Sequence, residues 1–149
     1  MRRSAKALAR YGPDFRYRHY AAVRSLPMAL GGVAAVGTLV AAAQVPPLRR
    51  ALSARLKPGE GPSPEKRARS WFTVRFVGEG GGRRVYTEVS GGDPGYDETA
   101  KMLAESALSL ALDDLPPTSG QVTTAAAMGD ALIGRLQNAG IRFRVAAVR

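Results

Sequence analysis

The chain of 149 residues contains no cysteine and only one histidine, His19. Without cysteine it cannot form a disulfide, a thiolate metal site or a cysteine nucleophile. A single histidine also excludes a metal site built from several histidines of one chain. The sequence therefore predicts no metal site, and the lack of cysteine agrees with a reducing compartment such as the cytoplasm.

Acidic residues are scarce in the first half of the chain. Residues 1–70 contain 14 Lys and Arg against 3 Asp and Glu, whereas residues 71–149 contain 8 against 9. This division is not typical of a globally basic nucleic-acid-binding domain. The basic half flanks an apolar run, which favours an anionic membrane surface or an acidic protein partner over nucleic acid.

Residues 1–24 form a basic, aromatic N-terminal segment. Residues 1–10 could form a short amphipathic helix, and the Tyr-Gly-Pro-Asp sequence at 11–14 predicts a turn. Residues 15–24 combine aromatic and basic side chains. We predict a helix with a mixed face here, the alternatives being base stacking or a membrane interface.

Residues 25–48 contain no charged side chain and are long enough to cross a bilayer, which needs about 20 residues. Three interpretations remain open: a helix in or on a membrane, with the protein on the cytoplasmic face; a pair of buried helices; and a secretory signal. The candidate membrane contacts are the larger apolar side chains and the arginines that follow the run: Leu26, Met28, Leu30, Leu39, Val40, Arg49 and Arg50.

Residues 49–69 are predicted to be a basic helix and a linker. Pro46 and Pro47 end the apolar run, because proline removes a donor and clashes with the preceding turn. Leu48, Leu52 and Leu56 then recur at helical spacing. Proline and glycine make residues 57–69 a linker, within which Ser63 could start one helical turn.

Residues 70–149 predict an α+β domain: an antiparallel hairpin or sheet packed with helices, preceded by the basic, apolar helical segment. Residues 71–77 and 84–90 alternate between apolar and polar side chains, as β-strands do. The glycines at 78–82 lie between them. A dinucleotide phosphate loop must open a helix, so a second strand after these glycines indicates a hairpin turn.

The rest of this domain predicts two helices and a strand. Asp97 and Glu98 begin a helix whose apolar face runs along residues 100–112. Thr123 or Thr124 caps a single helix at 125–139, which Gly140 ends. Residues 141–145 alternate as a final strand.

No catalytic constellation is visible. Asp93, Asp97 and Glu98 are interpreted as caps at the start of a helix, and the aspartates at 113 and 114 as solvated acids. Tyr96 has no lysine four residues later, where Ala100 stands, so we do not assign it as a proton donor.

An ordered series of motifs nevertheless resembles a known family, the saccharopine dehydrogenase-like oxidoreductases, and within it the trans-acting enoyl reductases of actinobacterial cell-wall glycolipid synthesis. The resemblance covers roughly residues 11–145 and matches the C-terminal part of that family. Thr124 departs from it, standing where the family pattern has proline. The motifs that carry the resemblance lie at 11–17, 46–50, 71–82, 87–96, 99–102 and 129–141.

The resemblance implies an NADP- or NAD-dependent reductase of a lipid- or polyketide-derived intermediate. Family members begin with a dinucleotide-binding domain, and its strand, glycine loop and helix have no counterpart here. We therefore expect this chain to be inactive alone and to bind no cofactor alone, with a separate dinucleotide-binding domain or a second copy in a homo-oligomer as partner. The alternative is a non-catalytic module that binds a membrane or a partner. No catalytic residue of the family can be transferred to this chain, and our candidate for its substrate side is the loop of Ser90, Gly91, Gly92, Asp93 and Tyr96.

Overall fold

The structure, a computed structural model, describes residues 1–23, 25–55 and 61–149. Leu56, the third leucine of the predicted stripe, lies outside the described residues, as do Arg24 and residues 57–60 of the predicted linker. Two compact units are present: Met1–Tyr17 with Pro62–Arg149, and Arg18–Gly61. The finer division at residues 24, 48 and 69 stays a prediction.

The predicted α+β class is confirmed. The helices are α1 Arg2–Ala7, α2 Leu26–Gln44, α3 Pro46–Arg55, α4 Pro64–Ala68, α5 Asp97–Leu112, α6 Thr124–Ala127 and α7 Gly129–Asn138. The strands are β1 Phe72–Gly80, β2 Arg83–Gly91 and β3 Arg142–Val148. They form an antiparallel sheet in the order β1-β2-β3.

The glycine-rich stretch is a hairpin, as predicted, but the strands are longer than expected. The register pairs Gly80 with Arg83, so only Gly81 and Gly82 form the turn. Both have positive φ, +56° and +72°. A two-residue turn that matches the twist of its strands needs positive φ at both positions, which glycine adopts without strain.

The core lies between α7 and one face of the sheet. Leu132 and Leu136, one turn apart on α7, are buried, and Ile141 at the entry to β3 is 2% exposed. Val89 of β2 and Phe143 of β3 are opposite each other in the register and pack against this cluster. Because side chains alternate across a strand, the other sheet face is turned away from the helices.

The single helix predicted at 125–139 is wrong. α6 ends at Ala127, and α7 begins at Gly129, whose φ of +48° no continuous α-helix contains. Met128 at the break is buried in the core. The predicted cap is confirmed, since the Thr123 hydroxyl accepts a hydrogen bond from the Ala126 N–H at 3.3 Å.

The N-terminal helix α1 contacts the start of α6. The Ser4 and Thr123 hydroxyls are 2.9 Å apart, and the Arg3 guanidinium donates to the Gln121 side chain at 2.8 Å. The helix predicted at 15–24 is wrong over its described part, because residues 15–23 have no regular structure. Aromatic residues have modest helix propensity, and an isolated helix of this length is marginal in water.

The second unit contains α2 and α3. Helix α2 is apolar on every side, and none of its 19 residues is buried. Its length of about 28 Å, at 1.5 Å per residue, is close to the roughly 30 Å of a bilayer's hydrocarbon core. Among the described helices, α2 is long and apolar enough to cross a membrane. Signal sequences and the core helices of globular proteins can have the same length and composition. The pair of buried helices is therefore not observed in the described part of this unit.

Helix α5 packs on α7 through its polar side. The Arg135 guanidinium of α7 donates two hydrogen bonds of 2.7 Å to the Asp113 carboxylate and lies 3.5 Å from that of Glu105. The interpretation of Asp113 as a solvated acid is therefore wrong. The Arg135 hydrogen bonds lower the pKa of Asp113 from 3.8 to about 2.

The predicted apolar face of α5 faces outward for the same reason. Only Met102 of that face packs on the core. Leu103 is 72% exposed and Leu110 is 61% exposed. Ala107 and Ala111, on the same face, are exposed as well. A helix normally turns this side towards the core of its own domain.

We expect Asp113→Asn to lower the melting temperature at pH 7. We also expect the melting temperature of the variant to fall less than that of the wild type as the pH is lowered. A carboxyl group whose pKa falls on folding stabilises the fold above its ordinary pKa, and this contribution disappears as the pH falls through the folded-state value. The difference in melting temperature between wild type and variant should therefore be constant above about pH 5 and should become smaller between pH 4 and pH 2. Thermal unfolding followed by circular dichroism checks this. Asp114→Asn is the matched control, and an equal effect in both would contradict the assignment.

Candidate functional site: a groove at the end of the sheet

The loop between β2 and α5 is built around a buried carboxylate. Asp93 is 8% exposed, and its Oδ2 accepts hydrogen bonds from the N–H groups of Tyr96 at 2.7 Å and Asp97 at 3.3 Å. These are donors that the start of a helix leaves without intrahelical partners. The interpretation of Asp93 as a helix cap is confirmed.

A second buried carboxylate holds the other side of the loop. Glu98 Oε1 accepts from the Gly92 N–H at 3.1 Å, and its Oε2 lies 2.8 Å from the Lys101 ammonium. These interactions, the one with Lys101 first, lower the pKa of Glu98 against the effect of burial. The carboxylate is therefore an ionised structural group and not a proton donor near neutral pH.

Position 91 requires glycine because the Phe72 ring and the Glu98 side chain approach its backbone closely. A Cβ atom there would lie 2.8 Å from the Phe72 ring and 3.4 Å from the Glu98 carboxylate. A Cβ at Gly92 would lie 3.2 Å from Glu98 Oε1. The two glycines therefore let the loop close over both side chains.

The sheet face turned away from the helices is polar. We call it the open face; its central residue is Glu88 of β2. Arg75 of β1 and Arg144 of β3 lie opposite Glu88 in the register, and their guanidinium groups approach its carboxylate at 3.1 and 3.3 Å. Glu88 is largely buried between them, while both arginines extend into solvent.

A groove of about 630 Å³ opens where β1 begins, β2 ends and β3 begins. Its polar lining includes Ser90, Gln137 and Arg142, and its apolar lining includes Trp71 and Ile141. These groups offer an aromatic surface beside a cation and several hydrogen-bonding groups, which suits binding of a partly polar, partly apolar molecule.

The structure divides the predicted substrate-side loop. Ser90 and Gly91 line the groove, whereas Gly92 and Asp93 have the structural roles described above. Tyr96 is half exposed, with the Arg67 guanidinium 5.9 Å from its ring centre. Sequence reasoning did not single out the groove residues Trp71, Gln137, Arg142 and Arg144. The alternation of arginine with apolar residues at 141–145 was the available signal for the last two.

The predicted membrane contacts lie in the second unit. Leu26, Met28, Leu39 and Val40 are exposed on α2, as is Leu30. Arg49 and Arg50 are exposed on α3. Their contact with a membrane stays a prediction.

The groove offers aromatic, cationic and hydrogen-bonding groups among the described residues. No cluster of three or more His, Asp or Glu able to hold a metal occurs among them. The start of α5 follows a strand and a glycine pair, yet it does not fit a pyrophosphate. The Asp93 carboxylate occupies its free N–H groups, and Asp97 and Glu98 add negative charge to its first turn.

The chain is similar to mycobacterial proteins named trans-acting enoyl reductases. One from Mycobacterium tuberculosis, assigned by name to this group, is 38% identical over 146 residues, which cover 90% of this chain and 35% of the relative. One from Mycobacterium ulcerans is 32% identical over 142 residues, covering 88% of this chain and 34% of the relative. One from Mycobacterium bovis is 41% identical over 88 residues, which cover 57% of this chain and 21% of the relative.

The chain thus spans about a third of the length of the curated relatives it matches. The resemblance to trans-acting enoyl reductases is confirmed for this part of their sequence. Membership of the wider saccharopine dehydrogenase-like group stays a prediction. No protein-family model matches the chain. No solved structure matches it either.

We expect Gly91→Ala to destabilise the first unit by about 1–3 kcal/mol, because the added methyl group would collide with the Phe72 ring. Gly80→Ala is the matched control: it lies at the end of β1, and a Cβ there meets no atom within 4 Å. It should change stability by less than about 0.5 kcal/mol. Urea unfolding of both variants measures the difference, and equal stability of the two would disprove the close approach.

Proposed function

We propose that the chain is the substrate-side part of an NAD(P)-dependent enoyl reductase that reduces a lipid- or polyketide-derived intermediate. The observation that carries the proposal is the similarity over 90% of the chain to about a third of proteins named trans-acting enoyl reductases. Reduction of an enoyl group by hydride transfer needs a positioned nicotinamide. The described residues provide no fitting site, so a separate dinucleotide-binding domain would hold the cofactor.

The outward face of α5 supports such a partner. Full burial of a leucine side chain contributes roughly 1.5–3 kcal/mol, so Leu103, Leu110 and Leu112 together forgo several kcal/mol while they stay exposed. The whole stability of a domain is only about 5–15 kcal/mol. A loss of this size favours a complex in which another folded domain covers the face.

The helix-facing side of the sheet supports the same conclusion. Val74 and Phe76 on β1 and Val145 and Val148 on β3 belong to this side by alternation, yet all four are exposed. α7 covers only the end of the sheet near Val89. Strands of this composition are typical of sheets with helices on that face, and the complementary domain would supply the cover.

In this proposal the groove binds the acyl intermediate. Trp71 and Phe143 would contact its apolar chain, while Ser90, Gln137 and Arg142 would bind its polar end. Asp93 and Glu98 would act indirectly by fixing the loop that carries Ser90 and Gly91. Hydride donor and proton donor would both come from the complementary domain.

We expect neither NADPH nor NADH to raise the melting temperature of the chain, because a ligand stabilises only a fold that binds it. Addition of the remaining two thirds of the Mycobacterium tuberculosis relative, expressed as a separate protein, should restore cofactor-dependent stabilisation and oxidation of NADPH or NADH with an enoyl thioester. Differential scanning fluorimetry and absorbance at the nicotinamide band measure the two effects.

The α5 face gives the matched variants for this experiment. Leu103→Asp/Leu110→Asp should abolish association with the added protein, since it places two charges where apolar contact is expected. Thr118→Asp/Val122→Asp introduces the same charge at exposed positions of the loop before α6 and should leave association intact. Cofactor binding by the chain alone, or equal association of both variants, would contradict the proposal.

A membrane-bound module is the second candidate function, favoured by the absence of any buried residue on α2. An uncharged helix of 19 residues that is apolar all round is typical of a bilayer span or a buried core helix, and α2 is not buried. Arg49 and Arg50 on α3 would contact anionic lipid headgroups. A hydrophobic enzyme substrate would be close to such a membrane, so the two functions are compatible.

We expect the full chain to float with vesicles of phosphatidylcholine and phosphatidylglycerol, and to remain bound at high salt, because salt screens charge contacts but not apolar burial. Val33→Asp/Val40→Asp should abolish flotation, since an aspartate at the centre of a membrane helix costs about 2.5–3.5 kcal/mol. Ser53→Asp/Ala54→Asp on α3 carries the same charge change outside α2 and is the control. Flotation that disappears at high salt would exclude insertion of α2.

A further inference from the structure

The open face of the sheet carries an excess of positive charge that the groove does not explain. By register and alternation, Arg75, Arg84, Arg142 and Arg144 lie on this face together with Glu79 and Glu88. Arg149 joins them, because its backbone exchanges two hydrogen bonds with Arg84, of 2.7 and 2.8 Å, and its guanidinium lies 5.9 Å from the Tyr86 ring centre. Five arginines thus face two glutamates.

The two glutamates are already neutralised. Glu88 is held between Arg75 and Arg144, and Glu79 lies 2.6 Å from the Arg84 guanidinium. Arg142 and Arg149 have no acidic partner within the described part of the chain. They mark the two ends of β3, and seven residues of an antiparallel strand separate them by about 24 Å.

Two aromatic rings accompany this charge, the exposed Trp71 and the half-buried Tyr86. Trp71 lies near Arg142 at one end of the face, where both line the groove, and is 74% exposed. Tyr86 lies beneath Arg149 at the other end, where a second groove of about 430 Å³ opens. Tryptophan, tyrosine and arginine are the residues that contribute most to protein–protein binding.

We propose that the open face binds an acidic α-helix of a partner protein. A helix of about 16 residues matches the length of β3, and carboxylates three or four residues apart on it would be about 5–6 Å apart, close to the spacing of successive same-face arginines. A nucleic-acid backbone fits less well, because its negative charge is continuous, whereas a helix can place its carboxylates at the two ends of β3 and uncharged side chains opposite the paired Glu79 and Glu88. This surface is opposite the helix-facing side of the sheet and shares Trp71 and Arg142 with the groove of the proposed function. The charge that defines it does not depend on the enoyl reductase assignment.

Titration of the ¹⁵N-labelled full chain with a helical 16-residue peptide tests the proposal. The peptide carries glutamate on one face; a second peptide with glutamine at the same positions is its uncharged control. Amide shifts should concentrate in β1, β2 and β3, and the glutamine peptide should cause none. Shifts confined to the basic residues of the first 50 positions, or equal binding of both peptides, would overturn the proposal.

Matched charge reversals separate the open face from the total charge of the chain. Arg142→Glu/Arg149→Glu should weaken peptide binding by about tenfold or more. Arg10→Glu/Arg16→Glu, exposed residues away from the sheet, should change it by less than about twofold. If the first variant loses its dispersed amide spectrum, Arg142→Gln/Arg149→Gln takes its place with the same expectation. Equal weakening by both pairs, or tighter binding of a duplex oligonucleotide than of the acidic peptide to the open face, would disprove the acidic-helix partner.

Discussion

The contact between Arg135 and Asp113 sets the orientation of α5, and much of the surface depends on that orientation. Its two 2.7 Å hydrogen bonds require the side of α5 that bears Asp113 to face α7. Glu105 lies on the same side and is drawn towards the same guanidinium. The apolar side of α5, with Leu103 and Leu110, must then face outward. One charged contact between two helices thereby exposes a face that is normally part of a core.

The β2–α5 loop shows how acidic residues can define a site without acting in chemistry. Asp93 and Glu98 are buried, and each uses its oxygens on backbone N–H groups or on Lys101. This fixes the end of β2, and with it the positions of Ser90 and Gly91 at the groove. The same carboxylates make the start of α5 unfavourable for a phosphate. The start of α5 therefore does not offer the N–H groups that bind a dinucleotide phosphate.

The sequence predicted the elements whose signals are local. The alternation of residues in the strands, the glycine turn and the caps at Asp93 and Thr123 depend on neighbours within a few positions, and all are observed. The break at Gly129 was missed because the alanine-rich sequence before it favours a continuous helix, whereas the burial of Met128 in the core is a tertiary contact without a local signal. The pairing of Asp113 with Arg135, 22 residues later, leaves no local pattern. Of the groove, sequence indicated only Ser90 and Gly91, because Trp71, Gln137 and Arg142 meet only when the strands are assembled.

The two sides of the sheet make different demands on partners. The helix-facing side exposes Val74, Phe76 and Val145, and apolar burial requires a close, permanent fit of the kind found between domains of one enzyme. The open face instead carries paired charges, with Arg142 and Arg149 available at its ends. Charge of this kind speeds encounter and selects partners more than it adds affinity, which suits a transient contact. In the two proposals, the sheet therefore completes an enzyme on one side and meets a separate protein on the other. The groove with Trp71 and Arg142 in its lining lies at the end of the sheet, where the surfaces used in the two proposals meet.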